Sequence, residues 1–347
     1  MISRRHFMQA SAGAAAFLAF RKRAYAFSQS PGNIRKFITP LQGLGPAGIP
    51  VAASDGVRVW PSVGGVPGAT ATHYTIDIRQ YTQWLHPDLP IGTPTTLWGY
   101  GQNGNHRHLG GLIVAKKNTP VQITFRNFLP NVHPLPVDFS TFFPDTKDAN
   151  GANAVNKTAV HLHGGYISWI SDGGPYDWFR PAVDGGAVGP SFLNNQVLRP
   201  GGPFPGEAEY YYSNQQSARL MWYHDHAHDL TRLNAYAGIA SGYLLRDDFE
   251  SLLIRVGAIP NDTRLVPIIF QDKIFNEDGS LFYPSKYEGD TSPTGTGTPP
   301  ARWAQAPGTP PITFPSCIPE MFGDTILVNG TVYPYSRSSP GGIDSCS

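Results

Sequence analysis

Alternation of apolar and polar side chains is the first regular feature of the chain, and it begins at residue 72. In the segment 73–79, Tyr74, Ile76 and Ile78 fall on one face of an extended chain, while their polar neighbours fall on the other. This period of two is typical of a half-buried β-strand. Further strand candidates lie at 97–101, 121–127, 208–212, 220–223 and 239–245. Short strands separated by turn signals predict an all-β sandwich or barrel.

A second, weaker group of strands is predicted beyond a boundary near residues 248–262. Residues 265–270 predict a buried strand, although Pro267 favours an edge position. Residues 324–335 predict a hairpin, whereas 289–316 are rich in Pro, Gly and Thr and predict a long loop. We therefore expect a first domain of residues 27–250 that begins with an irregular arm up to residue 70, a second domain of residues 251–335, and an irregular tail of residues 336–347.

Composition supports the all-β prediction. Glycine (38) and proline (33) make up about one residue in five, against an average of about 12%, and neither suits a helix interior. Aromatic residues are 12% of the chain, a content that disordered proteins lack. A net charge of +1 provides no basic stripe and excludes a nucleic-acid-binding protein. Two cysteines, Cys317 and Cys346, are too few for a disulfide framework, and neither has a nearby partner for a zinc ribbon.

The N-terminus carries the features of an export signal in the expected order. Residues 3–8 hold paired arginines, residues 10–20 form an apolar run, and residues 24–26 offer a signal-peptidase site. The run is too short to span a bilayer, which takes about 20 residues, so no stable membrane anchor is expected after cleavage. Residues 1–26 resemble a twin-arginine signal peptide, which implies the export machinery as a partner and a periplasmic or extracellular location. A chance basic stretch is the alternative.

Two His-X-His pairs occur among the eleven histidines: His161 with His163, and His224 with His226. In a strand, side chains at i and i+2 point to the same face, about 6.6 Å apart at ~3.3 Å per residue. Two imidazoles so placed can each serve a different metal in a cluster, and neutral imidazole suits zinc, copper, iron or nickel. Coincidental histidines of the surface or core are the alternative, and the spacing does not choose among the metals.

The sequence around both pairs resembles the first two copper-binding motifs of multicopper oxidases. These segments are residues 160–165 (VHLHGG) and 222–227 (WYHDHA). The chain also resembles the spore-coat laccase and bilirubin-oxidase branch of that family at residues 212–216, 230–238, 276–284 and 326–330. Because the motifs occur in order over roughly residues 35–335, the resemblance is specific.

This resemblance implies cupredoxin-like β-sandwich domains and a laccase-like activity, the oxidation of phenols or related aromatics coupled to the reduction of O2 to water. It also implies a trinuclear copper cluster between the first and third domains, to which each contributes four histidines. Carried over by position, His161 would bind the type 2 copper, and His163, His224 and His226 would bind the type 3 pair. Asp172 matches an acidic residue that supports proton delivery, and the reduction of O2 does consume protons. An ordinary turn aspartate before glycine is the alternative for Asp172.

Three further histidines are not expected to bind metal. His228 extends the second pair, but the segment after Ala227 is predicted to turn helical and to swing that side chain away. His106 and His108 form another His-X-His, but residues 103–105 (NGN) predict a loop, so both are expected at the surface.

The remaining motifs of the family, a His-Pro-X-His-X-His and a His-Cys-His segment, have no counterpart after position 228. A blue, type 1 copper site requires a cysteine thiolate with two histidines, and neither cysteine lies in such a pattern. We therefore expect a complete first domain, a partial second domain, no third domain, no type 1 site and, in this truncated chain, no competent oxidase. A non-catalytic periplasmic copper-binding protein and an inert truncated product are the two alternatives.

Overall fold

The structure, a computed structural model, describes residues 30–59, 70–90, 92–135, 137, 154–192, 198, 201, 204–260, 266–283, 322–336, 338–339 and 342–343. The predicted signal peptide (1–26), the predicted long loop (289–316) and both cysteines lie outside the described residues. Within the described part, no helix has the length and apolarity that crossing a membrane requires.

Two packed β-sheets form the main body of the chain. The larger sheet contains β1 (Gly56–Val59), β2 (Thr70–Gln83), β3 (Thr95–Gln102), β4 (Asn105–His106), β6 (Val121–Asn127) and β8 (Glu207–Tyr212). The smaller sheet contains β5 (Ile113–Lys116), β7 (Val160–His163), β9 (Arg219–Asp225) and β10 (Ala240–Arg246). The strand order is β4-β3-β2-β6-β8, with β1 added to β2, in the larger sheet and β5-β10-β9-β7 in the smaller one. Every strand predicted between residues 72 and 245 is therefore present.

The core lies between the two sheets. The apolar face of β2 is buried, as its alternation predicts. Tyr100 of β3 and Phe125 of β6 meet Tyr223 of β9, with ring centroids 4.6 to 5.8 Å apart. Such aromatic contacts contribute about 0.5–1.5 kcal/mol each beyond the area that they bury. The predicted all-β sandwich is confirmed.

Two short helices flank the smaller sheet. The helix α1 (Thr231–Ala237) follows β9, where a helical turn was predicted, and leads directly into β10. The helix α2 (Asp248–Arg255) follows β10, and the Asp247 side chain caps it by accepting a hydrogen bond from Glu250 N. The connection between β9 and β10 therefore carries α1, which packs near β3 and β9.

A three-stranded sheet lies beyond the sandwich. It consists of β11 (Phe270–Lys273), β12 (Thr325–Val328) and β13 (Thr331–Val332), in that order. Asn329 and Gly330 join β12 to β13 with φ of 52° and 76°, which is the left-handed pair that a two-residue Asn-Gly turn adopts. The predicted hairpin is confirmed. The predicted buried strand at 265–270 is wrong: pairing begins only at Phe270, which is 71% exposed, and Pro267 has no N–H group to donate.

The arm before the sandwich is more ordered than the sequence predicted. Residues 56–59 form β1 against the beginning of β2. Further upstream, Phe37 N donates to Tyr333 O at 2.9 Å and Leu41 N donates to Tyr335 O at 2.8 Å. The arm therefore binds the three-stranded sheet through its backbone. In the tail, where no strand was expected, β14 (Ser338–Ser339) pairs with β15 (Gly342–Ile343).

Candidate metal centre

Both His-X-His pairs lie on neighbouring strands of the smaller sheet. The strands β7 and β9 pair antiparallel, with His161 opposite His224 and His163 opposite Trp222. Directly opposite residues of an antiparallel pair share a face, so the arrangement predicted along each strand also holds across the two. His226 follows the last residue of β9, and its ring centroid lies 4.9 Å from that of His161.

The imidazole nitrogens of these residues converge. One nitrogen from each of His161, His163 and His224 lies within 4.8 Å of the other two. His163 Nδ1 is 3.2 Å from His224 Nε2, and the His226 ring centroid is 6.1 Å from that of His224. The structure therefore brings all four candidate ligands into one cluster.

Hydrogen bonds leave ring nitrogens available for a metal. His161 Nδ1 donates to the Asp172 carbonyl oxygen at 2.7 Å, and His224 Nδ1 donates to the Asp225 carbonyl oxygen at 2.7 Å. Each of these rings presents an unprotonated Nε2, the form that binds a metal. His226 Nδ1 is buried and has no hydrogen-bond partner among the described residues. An orphaned imidazole nitrogen beside three converging ones fits a transition-metal site.

Burial keeps the second pair neutral. Desolvation lowers the pKa of His224 to about 4, and desolvation also lowers the pKa of His226. Neighbouring imidazoles lower both values further because two cations would repel each other. The Trp222 ring stacks on His224 at 4.1 Å and on His163 at 5.2 Å. Trp222 thus restricts both rings while its outer face stays open to solvent.

Asp172 is placed beside the cluster by a 3₁₀ turn at Trp169–Ser171. Ser171 Oγ accepts a hydrogen bond from Tyr211 N at 3.0 Å, which ties this turn to β8. The Asp172 carboxylate is half exposed, and its Oδ1 lies 3.4 Å from His161 Nδ1. The residue therefore contacts a candidate ligand twice, through its carbonyl oxygen and through its carboxylate.

Gly173 makes this placement possible. Its φ is +66°, and a Cβ at this position would overlap the carbonyl oxygen of Val160, the first residue of β7. Only a residue without a side chain allows the turn to approach β7 so closely. In the sequence Gly173 is only the glycine after Asp172, because its close approach to residue 160 arises from the fold.

The three histidines that were not expected to bind metal, His106, His108 and His228, differ in their surroundings. His228 stacks on Tyr176 at 4.8 Å, and its Nδ1 lies 3.1 Å from Asp229 Oδ1. The expected surface position of His108 is wrong, because its side chain is 2% exposed and its Nε2 donates to Gln271 Oε1 at 2.7 Å. Gln271 belongs to β11, so the three-stranded sheet covers a histidine that the local sequence places in a loop. His106 is partly covered as well.

Buried neutral histidines make the stability of the chain depend on pH. Desolvation lowers the pKa of His108 to about 3 and that of His133 to about 4. Below pH ~6.5 the unfolded chain binds protons that the folded chain does not. The stability due to both groups is therefore complete above that pH and is lost as the pH falls towards their folded values, at up to about 1.4 kcal/mol per pH unit for each.

We expect the substitution His108→Gln to make the pH dependence of unfolding shallower between pH 6.5 and pH 4. Glutamine keeps a polar side chain but cannot titrate, so it removes the contribution of His108. Urea unfolding at pH 7, 6 and 5 measures the slope. Burial raises the pKa of Asp225 to about 6 and acts in the opposite direction, but it is common to both proteins and cancels in the difference. Parallel curves for the two proteins would contradict the expected burial of a neutral His108.

Comparison with known proteins finds laccases and multicopper oxidases that are similar to the chain, although no family model matches it. The chain is 36% identical over 269 residues to a laccase of Bacillus subtilis, which covers 78% of this chain and 43% of that protein. It is 39% identical over 269 residues to a laccase of Bacillus stratosphericus, which covers 78% of this chain and 44% of that protein. A multi-copper oxidase structure from Pediococcus acidilactici shares the fold with a TM-score of 0.51 at 18% identity, covering 91% of this chain and 44% of that chain. The chain spans less than half the length of these relatives.

Proposed function

The chain belongs to the multicopper oxidase family, and from this premise we propose that it contributes half of the copper-binding histidines of a laccase-like oxidase. The whole protein would oxidise small phenolic or related aromatic donors and reduce O2 to water. The observation that carries the proposal is the convergence of His161, His163 and His224 within 4.8 Å, with His226 beside them. Four imidazoles on one face of a sheet suit copper.

The ligands divide by position between two kinds of copper. We assign His161 to a type 2 copper, and His163, His224 and His226 to a type 3 pair. The approach of His163 Nδ1 to His224 Nε2 supports placing these two at one pair of metals. Bound copper would supply the one-electron chemistry that O2 reduction needs. The chain itself contributes ligand orientation, through the carbonyl oxygens of Asp172 and Asp225, and ring packing, through Trp222.

Asp172 is the proposed proton carrier. Its carboxylate is half exposed, so it exchanges protons with water, and its Oδ1 is 3.4 Å from His161 Nδ1. O2 reduction to water consumes protons, and a carboxylate between solvent and the metal centre can deliver them.

Other features of the proposal rest on the sequence. The two-sheet sandwich would belong to a cupredoxin-like domain of residues 27–250, and the three-stranded sheet to part of another at 251–335. The twin-arginine-like segment would direct the protein to the periplasm or to the outside of the cell. No histidine follows His228 and neither cysteine has a neighbouring histidine. The type 1 copper and the remaining cluster ligands would therefore come from outside these 347 residues.

The 347-residue chain is expected to bind copper but not to consume oxygen with a phenol. Electrons from the phenol would have to enter at a type 1 site with a cysteine thiolate and two histidines. Copper content and electron paramagnetic resonance spectra test the first part, and an oxygen electrode with a phenolic donor tests the second. Failure to bind copper would contradict the proposed centre, whereas copper-dependent oxygen uptake would contradict the need for additional ligands.

Copper binding without turnover is the second candidate function. The exposure of His163 favours it, because an exposed ligand can take up metal directly from solution. Stoichiometric copper binding by the protein in its native length, still without oxygen uptake, would select this function over the oxidase.

A further inference from the structure

Asp225 lies between two proposed ligands, yet its side chain points away from them. Alternation along β9 sends His224 to the outer face of the sheet and Asp225 to the inner one, where it is 0% exposed. We propose that Asp225, supported by Asn234 and His133, is a positioning residue that holds both ligand-bearing segments in one geometry. The inference rests on the proposed copper centre and adds a group that the centre needs in order to form.

The Asp225 carboxylate joins the two segments that carry the histidines. One oxygen accepts a hydrogen bond from Ala159 N at 3.1 Å, immediately before β7, and the other accepts one from Ala227 N at 3.1 Å, immediately after His226. In the same place, His226 N donates to Ala159 O at 2.8 Å. A shift of either segment would break a charge-assisted hydrogen bond, which is about twice as strong as a neutral one.

Asn234 packs beside the Asp225 carboxylate on the side of α1. It is fully buried on α1, its amide group lowers the pKa of the neighbouring Asp225 carboxyl group, and its Nδ2 donates to Lys157 O at 3.2 Å. Its Oδ1 accepts a hydrogen bond from His133 Nε2 at 3.1 Å. Asn234 thus connects α1 to the backbone just upstream of β7 as well as to Asp225.

His133 fixes the orientation of the Asn234 amide. His133 Nε2 donates to Asn234 Oδ1 at 3.1 Å, which leaves Nδ1, with Leu135 N at 3.0 Å and Leu135 O at 3.3 Å, as the acceptor of the Leu135 N–H. The ring is held edge-on against Trp98, with centroids 4.4 Å apart. A histidine that donates at Nε2 requires an oxygen there, and the Asn234 NH2 group then faces Lys157 O and the side of the Asp225 carboxylate. The result is a directed series of hydrogen bonds from the core to the ligand segments.

The test uses Asp225→Asn and Asn234→Ala, with Asn127→Ala as the matched control. Asn127 is equally buried and makes three hydrogen bonds, to Leu129 N, Asn156 O and Phe179 O, none of them in a ligand segment. With Cu²⁺ alone as the probe, both test variants should bind at least about 10-fold more weakly than the parent, the usual effect of removing an outer-shell partner, and their electron paramagnetic resonance spectra should change. The control should lose stability without either effect.

A second readout needs no metal. In the metal-free chain, the amide proton of Ala159 or that of Ala227 should exchange with solvent at least about 10-fold faster in Asp225→Asn than in Asn127→Ala, because asparagine keeps one acceptor oxygen and presents an NH2 group in place of the other. Unchanged exchange at both amides overturns the inference, as does parental copper affinity in folded Asp225→Asn and Asn234→Ala. If both variants fail to fold, the same two measurements are made on His133→Phe, which keeps a ring against Trp98 but cannot donate to Asn234. Failure of the parent to bind copper contradicts the proposed function instead, and the exchange measurement still decides the role of Asp225.

Discussion

Replacing His163 by alanine is expected to lower the copper affinity of the chain by more than about 100-fold while leaving its fold intact, since loss of an outer-shell partner alone costs about 10–100-fold. His163 is exposed and sits at the rim of the cluster. Truncation of an exposed side chain changes stability by about 0.5 kcal/mol or less. The large effect on metal binding is therefore separable from any effect on folding.

The matched control for this variant is His228→Ala. His228 lies two residues beyond the second pair and packs on Tyr176. Competition titration with a copper chelator gives the affinities, and thermal unfolding of the metal-free proteins shows whether both remain folded. Parental affinity in His163→Ala would remove that residue from the ligand set, and a large loss in His228→Ala would add a ligand that the structure does not place in the cluster.

Gly173→Ala is expected to destabilise the metal-free chain by about 2–5 kcal/mol. A left-handed backbone costs about 1–2 kcal/mol for a residue with a Cβ. The overlap with the Val160 carbonyl oxygen adds about 1–3 kcal/mol because the turn has to move away from β7. The same movement withdraws the Asp172 carbonyl oxygen from His161, so copper affinity should fall as well.

Gly185→Ala separates backbone strain from this close approach. Gly185 also has a positive φ, +86°, but no atom lies within 4 Å of its Cβ position. It should therefore cost only about 1–2 kcal/mol and leave copper binding unchanged. Chemical denaturation of both variants gives the two free energies of unfolding. Equal losses would mean that the contact between residue 173 and β7 is not what positions Asp172.

Local patterns predicted much of the fold and of the candidate site. The alternation at 73–79 and 121–127 predicted β2 and β6, since a period of two has one structural meaning over that length. The i, i+2 spacing placed each histidine pair on one face. What remained open was how the two pairs meet, because β7 and β9 are far apart in sequence and no local signal sets the register of His161 with His224.

The wrong predictions for His108 and for residues 265–270 have the same origin, because a local pattern does not show which distant segments pack against it. His108 is buried by Gln271, a residue 163 positions away, so a loop signal at 103–105 could not reveal its environment. Residues 265–270 have the apolar character of a strand, but Pro267 cannot donate a ladder hydrogen bond, and pairing begins later, at Phe270. Asp225 could have been recognised from its position between His224 and His226, because the residue between two ligands on the same face of a strand must point to the opposite face, into the core.

The backbone contacts between the arm and the three-stranded sheet bear on how the chain reaches its native state. Ser30 N donates to Asp324 Oδ2 at 2.9 Å, across a separation of 294 residues, and Leu41 N donates to Tyr335 O at 2.8 Å. Contacts of such high contact order slow folding, because a long loop must close before they stabilise anything. During synthesis, the backbone groups of Phe37 and Leu41 lack these partners until the ribosome has passed residue 335. The exposed backbone of the arm is therefore a point at which chaperones or proteases can engage the nascent chain.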